Sequence, residues 1–138
     1  MFINCSSLTT VPNNLLPATT LSDYCYSSMF YGCTSLTTIP KLPATKLADY
    51  CYQYMFYGCS SLTTIPSNLL PATTLSMRCY DNMFSGCTGL TTIPSNLLPA
   101  TTLAEKCYQY MFNGCTSLTT IPELPATTLA DMCYSSMF

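Results

Sequence analysis

Ten cysteines, eleven tyrosines and six acids are the residues of this 138-residue chain whose types could do chemistry. Eight of the cysteines fall in pairs eight residues apart, Cys25/Cys33, Cys51/Cys59, Cys79/Cys87 and Cys107/Cys115, with Cys5 and Cys133 left over. Three states of such a set stay open. Free Cys behaves as a small hydrophobe, so a ladder of buried thiols is one. A disulfide within each pair is the second; it would stabilise by about 2.5 kcal/mol if a turn brings the Cα atoms within about 7 Å. Metal binding is the third, but the chain has neither a Cys-x-x-Cys pair nor a histidine, and no metal or cofactor site is expected.

The lack of histidine also removes Ser/His/Asp triads and Cys/His dyads. The six acids, Asp23, Asp49, Asp81, Glu105, Glu123 and Asp131, fall mainly on repeated cap positions or variable outer ones, so no unique carboxylate pair stands out for acid/base work. No catalytic residue is assigned, and the chain is not expected to be an enzyme. Charged residues make up 7% of it and the net charge is −2, which argues against a nucleic-acid partner because phosphate binding needs clustered Lys or Arg.

The tyrosines divide by position. Tyr26, Tyr52, Tyr80, Tyr108 and Tyr134 recur at one place and are expected to pack as a ladder. Tyr54 and Tyr110 stand where other repeats carry Ser or Asn; with Tyr31 and Tyr57 they are the candidate binding residues, because tyrosine combines a large contact area with one polar end. The 22 threonines include pairs at 9/10, 37/38, 63/64, 91/92 and 119/120, which read as a polar strand face of good β propensity rather than an ice-binding array.

What must position these groups is a repeat. Met-Phe recurs at 1, 29, 55, 83, 111 and 137, at spacings of 28, 26, 28, 28 and 26. Such a period is the signature of a solenoid whose units bury their apolar faces against one another. The chain reads as one array, 1–138, with units 1–28, 29–54, 55–82, 83–110 and 111–136. The two lengths have one cause: Thr-Thr-Val/Ile-Pro is followed by a longer stretch, as in Ser67-Asn68-Leu69-Leu70-Pro71, or a shorter one, as in Lys41-Leu42-Pro43. The pattern leaves Cys5 and Cys133 without their eight-apart partners, which reads as an excerpt of a longer array, with these two as candidate inter-unit junctions.

The spacing predicts an α/β coil with short parallel strands and one short helix. Within 55–82, Cys59 to Pro66 reads as a strand stopped by proline, and Pro71 to Leu75 as a second extended piece. Leu75, Cys79 and Met83, at i, i+4 and i+8, read as one face of a helix. An acid three residues after Thr20, Thr102 and Thr128 resembles a capping box. Positions that recur, such as Leu62, Ile65, Leu75, Cys79, Tyr80, Met83, Phe84 and Cys87, should face inward. The two residues after each Cys-Tyr vary as Ser-Ser, Gln-Tyr or Asp-Asn and should face water.

The run from Leu47 to Pro66, with Met55-Phe56-Tyr57-Gly58-Cys59-Ser60-Ser61-Leu62-Thr63-Thr64-Ile65-Pro66 at its centre, resembles the BspA-like class of bacterial leucine-rich repeats. The likeness extends over the whole chain, with Met-Phe where the family has Ala-Phe, and with Cys-Tyr plus two residues lengthening each unit. The resemblance implies a curved solenoid of bacterial surface and secreted proteins, often linked with adhesion, and no catalytic chemistry. The expectation is therefore a non-enzymatic structural or adhesive module, extracellular or on the cell surface, that binds protein or glycan through its solenoid face. The alternative is an extracellular fibre subunit whose partners are further copies stacked end to end. No apolar run approaches the ~20 residues of a bilayer span, so membrane insertion is not expected. No signal peptide is visible in Met1-Phe2-Ile3-Asn4-Cys5.

Overall fold

Main-chain hydrogen bonds from each unit to the next define the architecture. The computed structural model describes all residues, 1–138, and shows one stack of coils in which equivalent residues lie one above another. No α-helix forms, and no strand is longer than an isolated bridge, so the α/β coil with a helix in each unit is overturned. The segments expected to be helical, such as 49–58, are runs of consecutive turns.

The donors explain why. Along 49–58, the N–H groups of Gln53, Met55 and Tyr57 donate to the carbonyl three residues back, at 3.1–3.2 Å. The alternate N–H groups, those of Tyr50, Tyr52, Tyr54, Phe56 and Gly58, leave the segment and donate to Met77, Cys79, Asp81, Met83 and Ser85 of the next coil, at 2.8–3.0 Å. A helix would need every one of these donors four residues back along its own chain. Every fourth residue takes positive φ, Tyr50 at 60°, Tyr54 at 56° and Gly58 at 70°. That value at the third position of a turn is what a type II turn requires. The local unit is thus four residues long, a type II turn followed by a turn without positive φ, and four-residue spacing places Leu75, Cys79 and Met83 on one side as a helix would.

The same bonding re-employs the acid expected to cap after Thr20, and also the acid of the coil where Lys46 replaces that threonine. Asp23 Oδ1 accepts from the N–H of Asp49 at 3.1 Å, and Asp49 Oδ1 accepts from the N–H of Met77 at 3.0 Å. These carboxylates satisfy a donor on the neighbouring coil rather than the start of a helix. The extended pieces pair only at single parallel bridges, Thr64 with Thr92, Thr74 with Thr102, Thr102 with Thr128, and Thr20 with Lys46. Pro66 and Pro71 bracket the pieces and have no N–H to donate, which keeps the ladders short. Threonine hydroxyls add to them: Thr91 Oγ1 donates to Thr63 O at 3.2 Å and Thr119 Oγ1 to Thr91 O at 2.9 Å.

The recurring apolar positions do face inward, and Leu62, Ile65, Leu75, Cys79, Met83, Phe84 and Cys87 are all buried. Two aromatic ladders run the length of the stack. Phe30, Phe56, Phe84 and Phe112 stack at centroid spacings of 5.5, 5.4 and 5.7 Å, and Tyr52, Tyr80 and Tyr108 at 5.8 Å throughout. The expectation for the residues after Cys-Tyr is half wrong. The second of the two lies at the positive-φ corner and is partly or fully exposed, as at Tyr54, Asn82 and Tyr110. The first turns inward: Gln53, Asp81 and Gln109 are buried.

Candidate functional site

The outer face of the turn segments brings three of the four candidate tyrosines together. Tyr31 and Tyr57 occupy equivalent positions in successive coils, and their rings stack at 4.8 Å, 6° from parallel. Tyr54 meets Tyr57 edge-on at 5.8 Å and Tyr31 at 6.5 Å. All three are half-buried, with the remainder open to solvent. Tyr110, two coils beyond Tyr54, is exposed and stands apart from this cluster. A second stack that spacing did not single out lies on the same turn segments: Tyr24 on Tyr50 at 4.6 Å, with the Arg78 guanidinium 5.9 Å from the Tyr50 ring centre. These three share one repeated position, so what varies from coil to coil still meets its neighbour axially. That variable column was the available signal.

Arg78 also lies 3.6 Å from Asp81, the one acid that is buried. Asp81 Oδ2 accepts from Gln53 Nε2 at 2.9 Å, and Oδ1 accepts from Asn82 Nδ2 at 2.6 Å. Burial raises the Asp81 pKa, against the pull of Gln53, Asn82 and Arg78 in the other direction. One acceptor oxygen is therefore committed to the neighbouring coil, through Gln53, and the other to Asn82 of its own coil. No three Cys, Asp or Glu side chains converge as a bound metal would require.

The cysteines stand as free thiols in two columns. One column is Cys25, Cys51, Cys79, Cys107 and Cys133, and the other is Cys5, Cys33, Cys59, Cys87 and Cys115; the pairs eight apart are divided between them. In the second column the thiols are aimed along the stack. Cys59 Sγ donates to Phe30 O, Cys87 Sγ to Phe56 O and Cys115 Sγ to Phe84 O, each at 3.2 Å and each one coil back. Burial pushes the Cys51 and Cys107 thiols up to about 11 and Cys59 up to about 12.

Deep in the tyrosine ladder, the hydroxyls of Tyr52 and Tyr80 are buried without a hydrogen-bond partner. An unsatisfied buried hydroxyl costs about 1–3 kcal/mol. Tyr80→Phe keeps the stacked ring and removes that cost, so the variant is expected to be more stable than the parent by about 1 kcal/mol or more in urea denaturation. A variant less stable than the parent would show that the hydroxyl is satisfied.

On another edge, the shorter loop of the second coil leaves a cleft of about 480 Å³ between its neighbours. Asn13 of the first coil, Lys41 and Pro43 of the second, and Ser67 and Asn68 of the third are among the residues that line it. The two-residue difference between loops thus shapes the surface as well as the period.

A stack of coils with a tyrosine-bearing outer face, two thiol columns and two aromatic ladders defines a repeat module of the leucine-rich class. The model of the BspA type leucine rich repeat region matches residues 1–137 in six copies, and the chain belongs to that family. Members are repeat modules, generally non-enzymatic, and typically surface-associated or secreted. No curated protein and no solved structure matches the chain.

Proposed function

We propose that this chain is a non-enzymatic structural and adhesive module, extracellular or displayed on a cell surface, that contacts protein or glycan through the outer face of its turn segments. The cluster of Tyr31, Tyr54 and Tyr57 carries the reading. Tyrosines that are stacked in the unbound state have lost their side-chain freedom already, so contact with a partner costs little further ordering. Their ring edges and hydroxyls offer apolar area together with hydrogen-bonding capacity.

Tyr31→Ser, Tyr54→Ser and Tyr57→Ser combined place at 54 and 57 the residue other coils carry there, Ser28 and Ser85, and extend it to 31. Immobilised mucin glycoprotein and a panel of neutral and acidic oligosaccharides serve as probes. The parent should be retained on at least one of them and the triple variant should bind at least tenfold more weakly, with unchanged circular dichroism. No retention of the parent on any probe, or equal retention of the two, defeats the reading.

A second reading is self-assembly into a fibre of copies stacked end to end; the low charge of the chain, 7% charged residues and a net charge of −2, offers little repulsion to such contact. Electron microscopy of the purified chain separates the readings, threads favouring the fibre and discrete particles the module.

A further inference from the structure

The two thiol columns have a geometry that the eight-residue spacing conceals. Equivalent side chains of adjacent coils sit close along the stack, as the 5.4–5.7 Å spacing of the phenylalanine rings shows. Hydrogen-bonded neighbouring chains lie about 4.7–4.9 Å apart, inside the Cα separation of about 4.4–6.8 Å that a disulfide spans. The Cys33 thiol is directed at the coil before it, its Sγ 2.9 Å from Phe2 O, and Cys59, Cys87 and Cys115 repeat the arrangement. Tyr26 N–H donates to Cys51 O at 2.9 Å, which holds the backbone beside Cys25 against Cys51. Each sulfur thus has its column neighbour one coil away, while the cysteine eight residues along its own coil belongs to the other column.

We propose that oxidation joins cysteines of adjacent coils within a column, Cys5 to Cys33 and Cys25 to Cys51 first, and not the pairs eight apart within one coil. The order follows from access. Cys5 and Cys25 are exposed, whereas Cys33 and Cys51 are buried. Burial raises the Cys33 and Cys51 thiols and so leaves the exposed member to make the first attack.

With a small disulfide such as glutathione disulfide as oxidant, Cys25 gives up its proton and attacks one sulfur, and a glutathione thiolate leaves. Cys51 then loses its proton and attacks the Cys25 sulfur of the mixed disulfide, and the second glutathione leaves. Two protein thiols and one glutathione disulfide become one protein disulfide and two glutathiones, the two electrons passing to glutathione. The same sequence joins Cys5 and Cys33. Each bridge ties one coil to the next, which restrains separation of coils along the stack rather than the shape of a single turn segment.

The test incubates the reduced, folded chain with glutathione disulfide, blocks residual thiols at acid pH, digests with pepsin without reduction and maps linked peptides by mass spectrometry. Cys5–Cys33 and Cys25–Cys51 links are expected, with a loss of about 4 Da from the chain. A Cys25–Cys33 link, or glutathione adducts at Cys5 and Cys25 that never resolve into bridges, would overturn the proposal. Cys5→Ser and Cys25→Ser change exposed positions and leave the core alone. Each should abolish its own bridge while the other forms, and a new bridge across the columns, such as Cys33 to Cys51, counts against column pairing.

Discussion

Titrated upward from pH 8, the reduced chain is expected to unfold cooperatively between about pH 10 and 11. Six thiols, Cys51, Cys59, Cys79, Cys87, Cys107 and Cys115, are buried and have pKa values raised above the ordinary 9.0, with burial the largest cause in each. Cys51, Cys107 and Cys115 reach about 11 and Cys59 about 12. Because the folded values lie above the unfolded one, the stabilising contribution is whole below about pH 9 and is lost as pH rises through the folded values. Above pH 9 the unfolded chain sheds protons that the folded chain keeps. Each such thiol then weakens folding by about 1.4 kcal/mol per pH unit, and six together by about 8 kcal/mol per unit. A domain is stable by about 5–15 kcal/mol, so roughly one to two units exhaust it. Tyr52, Tyr80 and Tyr108, whose pKa values burial also raises, add to the slope above pH 10. Circular dichroism and thiolate absorbance recorded together should change in one transition. Thiolate absorbance that grows smoothly while the fold persists past pH 11.5 would show that the sulfurs are accessible and the columns are not sealed.

The second large effect is mechanical. Phe84→Ala is expected to cost about 3–5 kcal/mol, a major share of total stability, whereas Phe138→Ala should cost about 1 kcal/mol or less. Phe84 has a ring stacked on either face, Phe56 at 5.4 Å and Phe112 at 5.7 Å, and none of its surface is exposed. Deleting it bares both neighbours at once. The void cannot close by letting the coils approach, because Phe56 N–H to Met83 O at 2.9 Å and Phe84 N–H to Met111 O at 3.0 Å hold their spacing. Phe138 stacks on one side only and is 50% exposed. Urea titrations of the two variants beside the parent measure the contrast. Equal losses would mean that the rings are not packed as a continuous ladder.

Much of the candidate surface could be read from residue types and spacing. Tyr54 and Tyr110 were separable from the repeated ladder tyrosines because other coils carry Ser or Asn there; of the tyrosines grouped with them, Tyr31 and Tyr57 prove to be neighbours of Tyr54, while Tyr110 stands apart. Tyr24, Tyr50 and Arg78 were not picked out, because their chemical types differ and only stacking of the coils places ring on ring and guanidinium near ring. Gln53, Asp81 and Gln109 were read as solvent-facing for a related reason. Polar side chains that vary among repeats usually face water, and nothing local announces that the Gln53 amide will meet the Asp81 carboxylate one coil on.

Repetition alone was enough to settle the length of the unit, the inward set from Leu62 through Cys87, and the loop where two residues come and go. A position that must meet its own copy above and below tolerates few residue types, so the core is visible in one chain. The course of the backbone was beyond such reading. Four-residue turn pairs and an α-helix put the same side chains on the same side, and they differ in where the N–H groups go. In this chain half of those donors along each turn segment but the last cross to the next coil, and a partner more than twenty residues away leaves no trace in local spacing. The direction of the thiols follows from that choice: once the coils are bonded edge to edge, each sulfur finds its neighbour along the stack.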